Sequence, residues 1–410
     1  MTDLKKFGLV GRTLKHSFSP MIHKNLYDYP YSLFEIEPEN MGSFIESKDF
    51  DGLNVTIPYK KEVIPYLDTL SSCAKKIGSV NTIIRTKDNA LHGDNTDYYG
   101  FLYMLKESGI SLEGKKALVL GSGGASLAVK AVLKDQNAGE IITISRTGEN
   151  NYKNISKHYD ADIIVNTTPV GMYPETEKAP IDLKEFKHLE GVFDLIYNPS
   201  TTKLLYDAQQ LQIPAFNGLS MLVGQAKKSA ELFLNEEISD LKINEIVKII
   251  VQGTLNIMLI GMPGSGKSTV GKKLANDLER PFVDADLVFK EKYGVSPAEV
   301  IENQGEEIFR EMETKVLSEI TKESGQIIAT GGGVVTRPEN RFLCKQNSIV
   351  FFLDRDLSLL PTSNRPISQQ KGVDTLYRER YPLYTDFCDH KIAVTTVEQT
   401  ATDIKTIFFE

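Results

Sequence analysis

The chain has 410 residues, 41% of them hydrophobic and 25% charged, with a formal net charge of -8. These proportions exclude a disordered, collagen-like or fibrous chain. The acidic balance argues against a broad nucleic-acid or anionic-membrane surface, though it leaves room for local anion pockets.

At about 100–200 residues per domain, two to four domains are expected. In chain order, short β-branched runs alternate with longer helical stretches, the pattern of a parallel α/β protein. Strands are expected at Phe7–Gly11, Gly52–Ile57, Lys116–Gly121, Ile141–Ser145, Asp162–Asn166 and Val192–Tyr197. Further strands are expected at Leu255–Gly261, Gln326–Thr330, Ser348–Leu353 and Lys391–Val394. Asp97–Glu107 reads as a helix, which puts a break near residue 100. Ile246–Val251 reads as the end of another, and only Gly253-Thr254 separates it from the apolar run at Leu255. A domain boundary with a short linker is therefore expected at about 248–254. Three scattered cysteines, Cys73, Cys344 and Cys388, make neither a disulfide framework nor a close-spaced metal site. They suit a reducing cytoplasm. Neither a signal peptide nor a membrane span is expected, since no apolar run reaches about 18 residues.

Three early stretches are unusually polar. His16-Ser17-Phe18-Ser19-Pro20 puts two hydroxyls ahead of a Pro-initiated helix. Asn54-Val-Thr56-Ile-Pro58-Tyr-Lys60 ends a strand, and Gly93-Asp94-Asn95-Thr96-Asp97 ends a hairpin and opens a helix. Singly, Ser19 and Asp97 also read as helix N-caps and Lys60 as a solvated lysine. Together they offer hydroxyls, amides, an ammonium and a carboxylate, a set suited to a small polyhydroxy acid.

Two glycine-rich turns follow strands and open helices. In the first, Gly121-Ser122-Gly123-Gly124-Ala125-Ser126, Gly121 permits the turn and Gly123 lets backbone approach a pyrophosphate at the helix start. Arg146 and Thr147 follow the next strand, about 25 residues after Gly121, where an acidic residue would bind an NAD ribose. A cation and a hydroxyl there favour the 2′-phosphate of NADP. The second turn, Gly261-Met-Pro-Gly264-Ser265-Gly266-Lys267-Ser268-Thr269, is a full P-loop. Its amides cradle phosphates, Lys267 reaches the β- and γ-phosphates, and Ser268 binds Mg²⁺. Downstream stand Asp284-Ala-Asp286, Arg310, Gly331-Gly332-Gly333, Arg365 and Arg380.

The ordered set Ser17-x-Ser19-Pro, Asn54-Val-Thr56-x-Pro-x-Lys60, Gly78-Ser-Val-Asn81-Thr, Gly93-Asp-Asn-Thr-Asp97, Gly121-x-Gly-Gly-Ala and Gly218-Leu-Ser-Met-Leu-Val-Gly-Gln225 resembles shikimate dehydrogenase over about residues 1–250. The resemblance implies an α/β substrate-binding domain over 1–100, completed by about 219–250, and a Rossmann-type NADP-binding domain over 101–218. It implies that Ser17, Ser19, Thr56, Asn81, Asp97, Tyr197 and Gln225 line a shikimate site, with Lys60 and Asp97 as the catalytic pair. Gly121, Ser122, Gly123, Gly124, Ala125, Arg146, Thr147, Leu195 and Gly218 would contact NADP(H). Hydride would reduce the 3-keto group while the Lys60 ammonium protonates the developing alkoxide, Asp97 mainly orienting Lys60 and the substrate hydroxyl. The family's Asn-Arg-Thr signature reads Ser145-Arg146-Thr147 here.

Over about 255–410 the ordered set from the P-loop to Arg380 resembles shikimate kinase, which implies a three-layer α/β/α P-loop domain over 254–410. By that resemblance Asp286, Arg310, Gly332, Gly333 and Arg380 hold shikimate, the arginines on its carboxylate. Gly261, Gly264, Ser265, Gly266, Lys267 and Thr269 would hold ATP, while Ser268 and Asp284 hold Mg²⁺. Asp286 would orient, or take a proton from, the attacking 3-hydroxyl, and Arg365 would come from the lid. Val350-Phe-Phe-Leu-Asp354 offers a second metal aspartate, but the Asp-x-Asp motif favours Asp284. The stretch from Asp354 to Arg365 and the lid from Arg365 to Arg380 are both short for the family.

Both resemblances meet in one metabolite. They imply a cytoplasmic bifunctional enzyme of aromatic biosynthesis with 3-dehydroshikimate and shikimate as substrates, a monomer or homodimer without nucleic-acid or membrane partners. One alternative is a quinate/shikimate dehydrogenase joined to another small-molecule kinase; Arg146 argues against its NAD preference. The other is an inactive nucleotide-binding regulatory module, against which Lys267, Ser268, Asp286, Arg310 and Arg380 stand.

Overall fold

A computed structural model describes residues 5–14, 17–27, 29–360 and 372–410, so His16 and Arg365 lie outside the described residues. The chain divides into two compact units. Unit 1 comprises Met1–Val170, Ala179–Tyr197 and Asp207–Ile249; unit 2 comprises Gly171–Lys178, Asn198–Tyr206 and Ile250–Glu410.

Unit 1 carries two sheets. The first is mixed, in the order β2-β1-β3-β5-β6-β4. It is formed by β1 (Phe7–Gly11), β2 (Tyr31–Glu35), β3 (Gly52–Val55), β4 (Thr69–Leu70), β5 (Thr82–Arg85) and β6 (Leu91–Asp94). β1 pairs in parallel with β2 and β3, whereas β5 runs antiparallel to β3 and β6. Val10, Leu53, Val55 and Ile83 anchor it in a core with Phe50 and Tyr59. The second sheet, β11-β10-β9-β7-β8, is wholly parallel. Its strands are β7 (Lys116–Leu120), β8 (Glu140–Ile144), β9 (Ile163–Asn166), β10 (Gly191–Asp194) and β11 (Ala215–Phe216). Ala117–Leu120 and Ile163–Val165 are buried without alternation, as a parallel sheet covered on both faces requires.

Helices Asp97–Ser108 and Leu219–Leu234 pack at close range. A Cβ at Gly100 would lie 2.4 Å from the Met221 carbonyl, and one at Gly224 3.4 Å from Gly100 Cα. Only glycine at position 100 permits that approach, which sets the first turns of the two helices against each other.

Unit 2 has one parallel sheet, β13-β14-β12-β15-β16. It consists of β12 (Asn256–Ile260), β13 (Phe282–Asp284), β14 (Ile327–Ala329), β15 (Ser348–Asp354) and β16 (His390–Ala393). Alternate side chains enter two cores: Met258, Ile260, Val350 and Phe352 on one face, Ile257, Leu259, Phe351 and Leu353 on the other. This period of two, buried on both sides, makes the unit a three-layer α/β/α sandwich. Within unit 2, Thr201 N–H donates to the Gln346 carbonyl (2.9 Å). The Tyr206 ring packs edge-on against Phe342, with centroids 5.4 Å apart.

The expected short linker at 248–254 is not a loop. The helix Leu241–Thr254 runs through it, because Ile243, Ile246 and Ile250 bury one face at helical spacing. Strands also stop earlier than expected, at Val55 and Asp194, where the chain leaves the ladder. Among the described residues, no helix is long and apolar enough to cross a membrane.

Candidate active sites

Asp97 occupies the first turn of its helix, and Lys60 follows the end of β3. Lys60 Nζ lies 2.6 Å from Asp97 Oδ2, with side chains 17% and 9% exposed. Asp97 is not a cap: its other oxygen accepts from Asn81 Nδ2 at 2.9 Å. Ser19 likewise makes no capping bond, and the helix Ser19–Leu26 has none from a side chain. Asn81 Nδ2 also reaches Gln225 Oε1 at 3.4 Å, so the close helix pair brings Gln225 to Asp97. Tyr197 is half-buried, its ring 5.6 Å from that of Phe18, which places it beside the Ser17–Ser19 segment. Ser17 Oγ accepts from Ser19 N–H (3.2 Å), and Thr56 N–H donates to the Val10 carbonyl (3.0 Å). Among the described residues, no hydrogen bond ties Ser17, Ser19 or Thr56 to the Lys60–Asp97 pair.

The first glycine turn adjoins this pair. A Cβ at Gly124 would sit 3.8 Å from Lys60 Cδ. Gly121 has φ +103°, and a Cβ there would lie 2.8 Å from Thr167 Oγ1, so only glycine fits. A Cβ at Gly123, just ahead of the helix Gly124–Asp135 in which Ala125 follows, would meet nothing within 4 Å. Ser122 lies between the two, and the open backbone beside Gly123 fits a pyrophosphate at a helix N-terminus. Ser126 is buried and donates back to the Gly123 carbonyl (2.6 Å), closing the turn. Leu195 and Gly218 meet backbone to backbone, since a Cβ at Gly218 would fall 2.1 Å from the Leu195 carbonyl. Arg146 and Thr147 are exposed just past β8. Their loop is fixed by Gly148 N–H donating to Ser145 Oγ (2.9 Å).

In unit 2, Gly261, Gly264 and Gly266 have φ of +145°, +84° and +98°, a backbone that L-residues rarely adopt. Lys267 Nζ donates to the Gly261 and Met262 carbonyls at 2.9 and 3.0 Å. Ser268 Oγ donates to Asp284 Oδ2 at 2.7 Å, a hydroxyl and carboxylate placed together as a P-loop magnesium site needs. Asp284 is also the cap of the helix that follows, accepting from Asp286 N–H at 3.1 Å. Asp354 is engaged elsewhere, with Lys391 at 2.9 Å and Tyr377. Ser265 is buried inside the loop and Thr269 is exposed on the following helix.

A cavity of about 480 Å³ is walled by Lys267, Asp284, Asp286, Arg310, Gly333 and Arg380. Arg310 is bound by Glu313 (2.7 Å) and Glu306 (2.9 Å), and Arg380 donates to the Gly332 carbonyl (3.1 Å). A Cβ at Gly333 would collide with the Arg310 guanidinium at 2.0 Å, and one at Gly332 with Pro263 at 2.6 Å. Asp286 is open to solvent within the cavity yet enclosed by its walls; that enclosure, then the Asp284 charge, raises its pKa.

Sequence reasoning missed several participants. Glu313 is buried with one oxygen unpartnered, and burial raises its pKa. Its spacing of three from Arg310 on a helix was the available signal. Arg355 donates to the Gly264 carbonyl (3.2 Å) and lines the same cavity. In unit 1, Asn54, Thr82, Thr96 and Ser229 form a buried polar cluster behind Asn81.

Fold and sites define a two-site α/β enzyme: a dinucleotide-type turn beside an ammonium–carboxylate pair, and a P-loop beside a cage of arginines and carboxylates. Comparisons with known proteins agree. Residues 9–83 match the shikimate dehydrogenase substrate binding domain, and residues 263–408 match shikimate kinase. The shikimate dehydrogenase (NADP(+)) of Clostridium beijerinckii is 41% identical over 247 residues, 55% of this chain and 91% of that protein. That of Methanosphaera stadtmanae is 38% identical over 256 residues, 55% and 90% respectively. Among solved structures, a chorismate mutase/shikimate 5-dehydrogenase fusion protein from Clostridium acetobutylicum is 37% identical with TM-score 0.58, covering 60% of this chain and 97% of that one. The chain belongs to the shikimate dehydrogenase family, and its carboxyl-terminal part carries a shikimate kinase domain.

Proposed function

We propose that the chain catalyses two consecutive steps: NADPH-dependent reduction of 3-dehydroshikimate to shikimate, then ATP-dependent phosphorylation of the shikimate 3-hydroxyl. What supports this is one recurring observation: in each unit, ionic side chains suited to the substrate converge beside a glycine-rich nucleotide turn. We also propose the division into a substrate domain (1–100, completed by about 219–250), an NADP domain (101–218) and a kinase domain (254–410); three separate sheets support it. The free thiols of Cys73, Cys344 and Cys388 suit a cytoplasmic setting.

When bound, NADPH supplies the hydride. Lys60 Nζ, held by Asp97, donates a proton to the carbonyl oxygen as it becomes a hydroxyl. Asp97 orients Lys60 and a substrate hydroxyl, while Asn81 and Gln225 present amides to the ring, with Ser17, Ser19, Thr56 and Tyr197 completing the site. Arg146 and Thr147 would hold the 2′-phosphate.

When bound, Mg²⁺-ATP supplies the phosphoryl group. Lys267 and the loop amides would hold its phosphates, with Ser268 and Asp284 holding Mg²⁺. Arg310 and Arg380 grip the substrate carboxylate, and Asp286 orients the 3-hydroxyl and accepts its proton. Arg365 is carried over by resemblance alone. The test is two separate assays on the full chain: 3-dehydroshikimate with NADPH or NADH, and shikimate with ATP and Mg²⁺. Faster oxidation of NADPH than NADH, and ADP release that requires shikimate, are expected. Failure of either removes that half of the reading.

A further inference from the structure

Behind the Lys60–Asp97 pair, the polar cluster of unit 1 has a single centre. Ser229 Oγ lies 2.7 Å from Asn54 Nδ2, 3.0 Å from Thr82 Oγ1, 3.0 Å from Thr96 Oγ1 and 2.9 Å from the Gln225 carbonyl. Ser229 and Thr82 are 0% exposed, Thr96 and Asn81 2%, and Asn54 5%. One hydroxyl thus joins the helix of Gln225 to β3, β5 and the start of the Asp97 helix.

Tyr31 is half-buried, and its phenol donates to Asn54 Oδ1 (2.7 Å). Asn54 must then turn its NH₂ to Ser229. Ser229 donates its O–H to the Gln225 carbonyl one helical turn back, which leaves one lone pair for a threonine hydroxyl. The Thr96 backbone N–H can only donate, and it lies 2.7 Å from Asn81 Oδ1. The remaining threonine hydroxyl points at the same oxygen, 3.1 Å from Thr82 and 3.2 Å from Thr96. Asn81 is therefore held oxygen-inward, with Nδ2 facing Asp97 and Gln225 Oε1. Gln225 Nε2 in turn donates to the Leu222 carbonyl (3.0 Å).

We infer that Ser229 is a positioning residue for the dehydrogenase reaction: its hydroxyl ties the helix of Gln225 to Asn54, Thr82 and Thr96, and so sets where the Gln225 amide stands against Asn81 and the substrate hydroxyls. The substrate in this inference rests on the function proposed above. The NADP affinity of the same unit controls for its folding, and the kinase activity of the same molecule for the rest of the chain. In the full chain, Ser229→Ala should raise KM for shikimate roughly tenfold or more while kcat stays within about threefold. KM for NADP and the kinase rate should not move. Thr82→Val, which removes one partner hydroxyl at nearly constant volume, should act in the same direction but less. A KM for shikimate within about twofold of the parent chain overturns the inference. So does a parallel loss of kcat and of both affinities with the kinase intact, which would mark general damage. If Ser229→Ala also lowers the kinase rate, Thr82→Val decides by the same criteria. A parent chain that does not oxidise shikimate sinks the functional reading instead. The hub is then read through the Gln225 side-chain amide protons, protected from exchange in the parent and exposed in Ser229→Ala; equal protection in both overturns it.

Discussion

The two candidate sites handle polarity in opposite ways. Around Asn81 the dehydrogenase side surrounds one ion pair, Lys60–Asp97, with neutral amides and hydroxyls. Around the P-loop the kinase side concentrates charge: Lys267, Asp284, Asp286, Arg310, Glu313, Arg355 and Arg380 all line one cavity. The difference follows from the proposed chemistry. Reducing a carbonyl requires one proton at one oxygen, and oriented neutral groups suffice to place the ring. Transferring a phosphoryl group requires cations for a multiply charged nucleotide and a carboxylate for the attacking hydroxyl. One ring can thus be held by a hydrogen-bond matrix in one unit and by an ionic cage in the other.

The sharpest way to break this comparison is to remove the lone ammonium. Lys60→Ala should cut dehydrogenase turnover by roughly 10²–10⁴-fold, with a weaker effect on KM and none on the kinase rate. Unchanged turnover would take Lys60 out of the mechanism. A smaller effect is expected in the ionic cage. Arg310 is bound by Glu306 and Glu313 and lies over Gly333, a planar fit that lysine cannot copy. Arg310→Lys should raise the kinase KM for shikimate by roughly 10–100-fold while the dehydrogenase KM holds. Smaller again, Arg146→Ala should reduce the preference for NADPH over NADH by about tenfold, read as the ratio of kcat/KM values. The least is a displaced pH profile. Enclosure and the Asp284 charge raise the Asp286 pKa, and the role proposed for it needs the ionised form. Read on the full chain without nucleotide or Mg²⁺, the Asp286 carboxyl should therefore titrate above the ordinary aspartate value of about 3.9. A midpoint at or below that value would contradict the assignment.

What could be read from the amino-acid order was the part built of charges and glycines. Gly121, Gly261, Lys267, Asp97 and Arg310 stand in spacings that few other structures need, so the three sheets and both nucleotide turns were legible. Neutral hydroxyls carry no such signature. Ser229 lies one helical turn past Gln225, beside Lys227 and Lys228 like any residue of a solvated helix face, and Thr82 directly after Asn81 at the start of a strand. Glu313 was recoverable from helical spacing, whereas Arg355 follows the end of β15 as a single residue outside any motif. The continuous helix Leu241–Thr254 was misread because Gly253 looked like a break; Ile243, Ile246 and Ile250 outweigh it by burying one face. Two-residue strands such as Thr69–Leu70 and Ala215–Phe216 are too short for any periodicity to reveal.

The most direct measurement follows both products in one vessel containing the full chain, 3-dehydroshikimate, NADPH, ATP and Mg²⁺. The account predicts NADPH oxidation accompanied by shikimate 3-phosphate, with shikimate appearing first. Shikimate that accumulates without ever being phosphorylated, or NADPH that is not consumed, would contradict it.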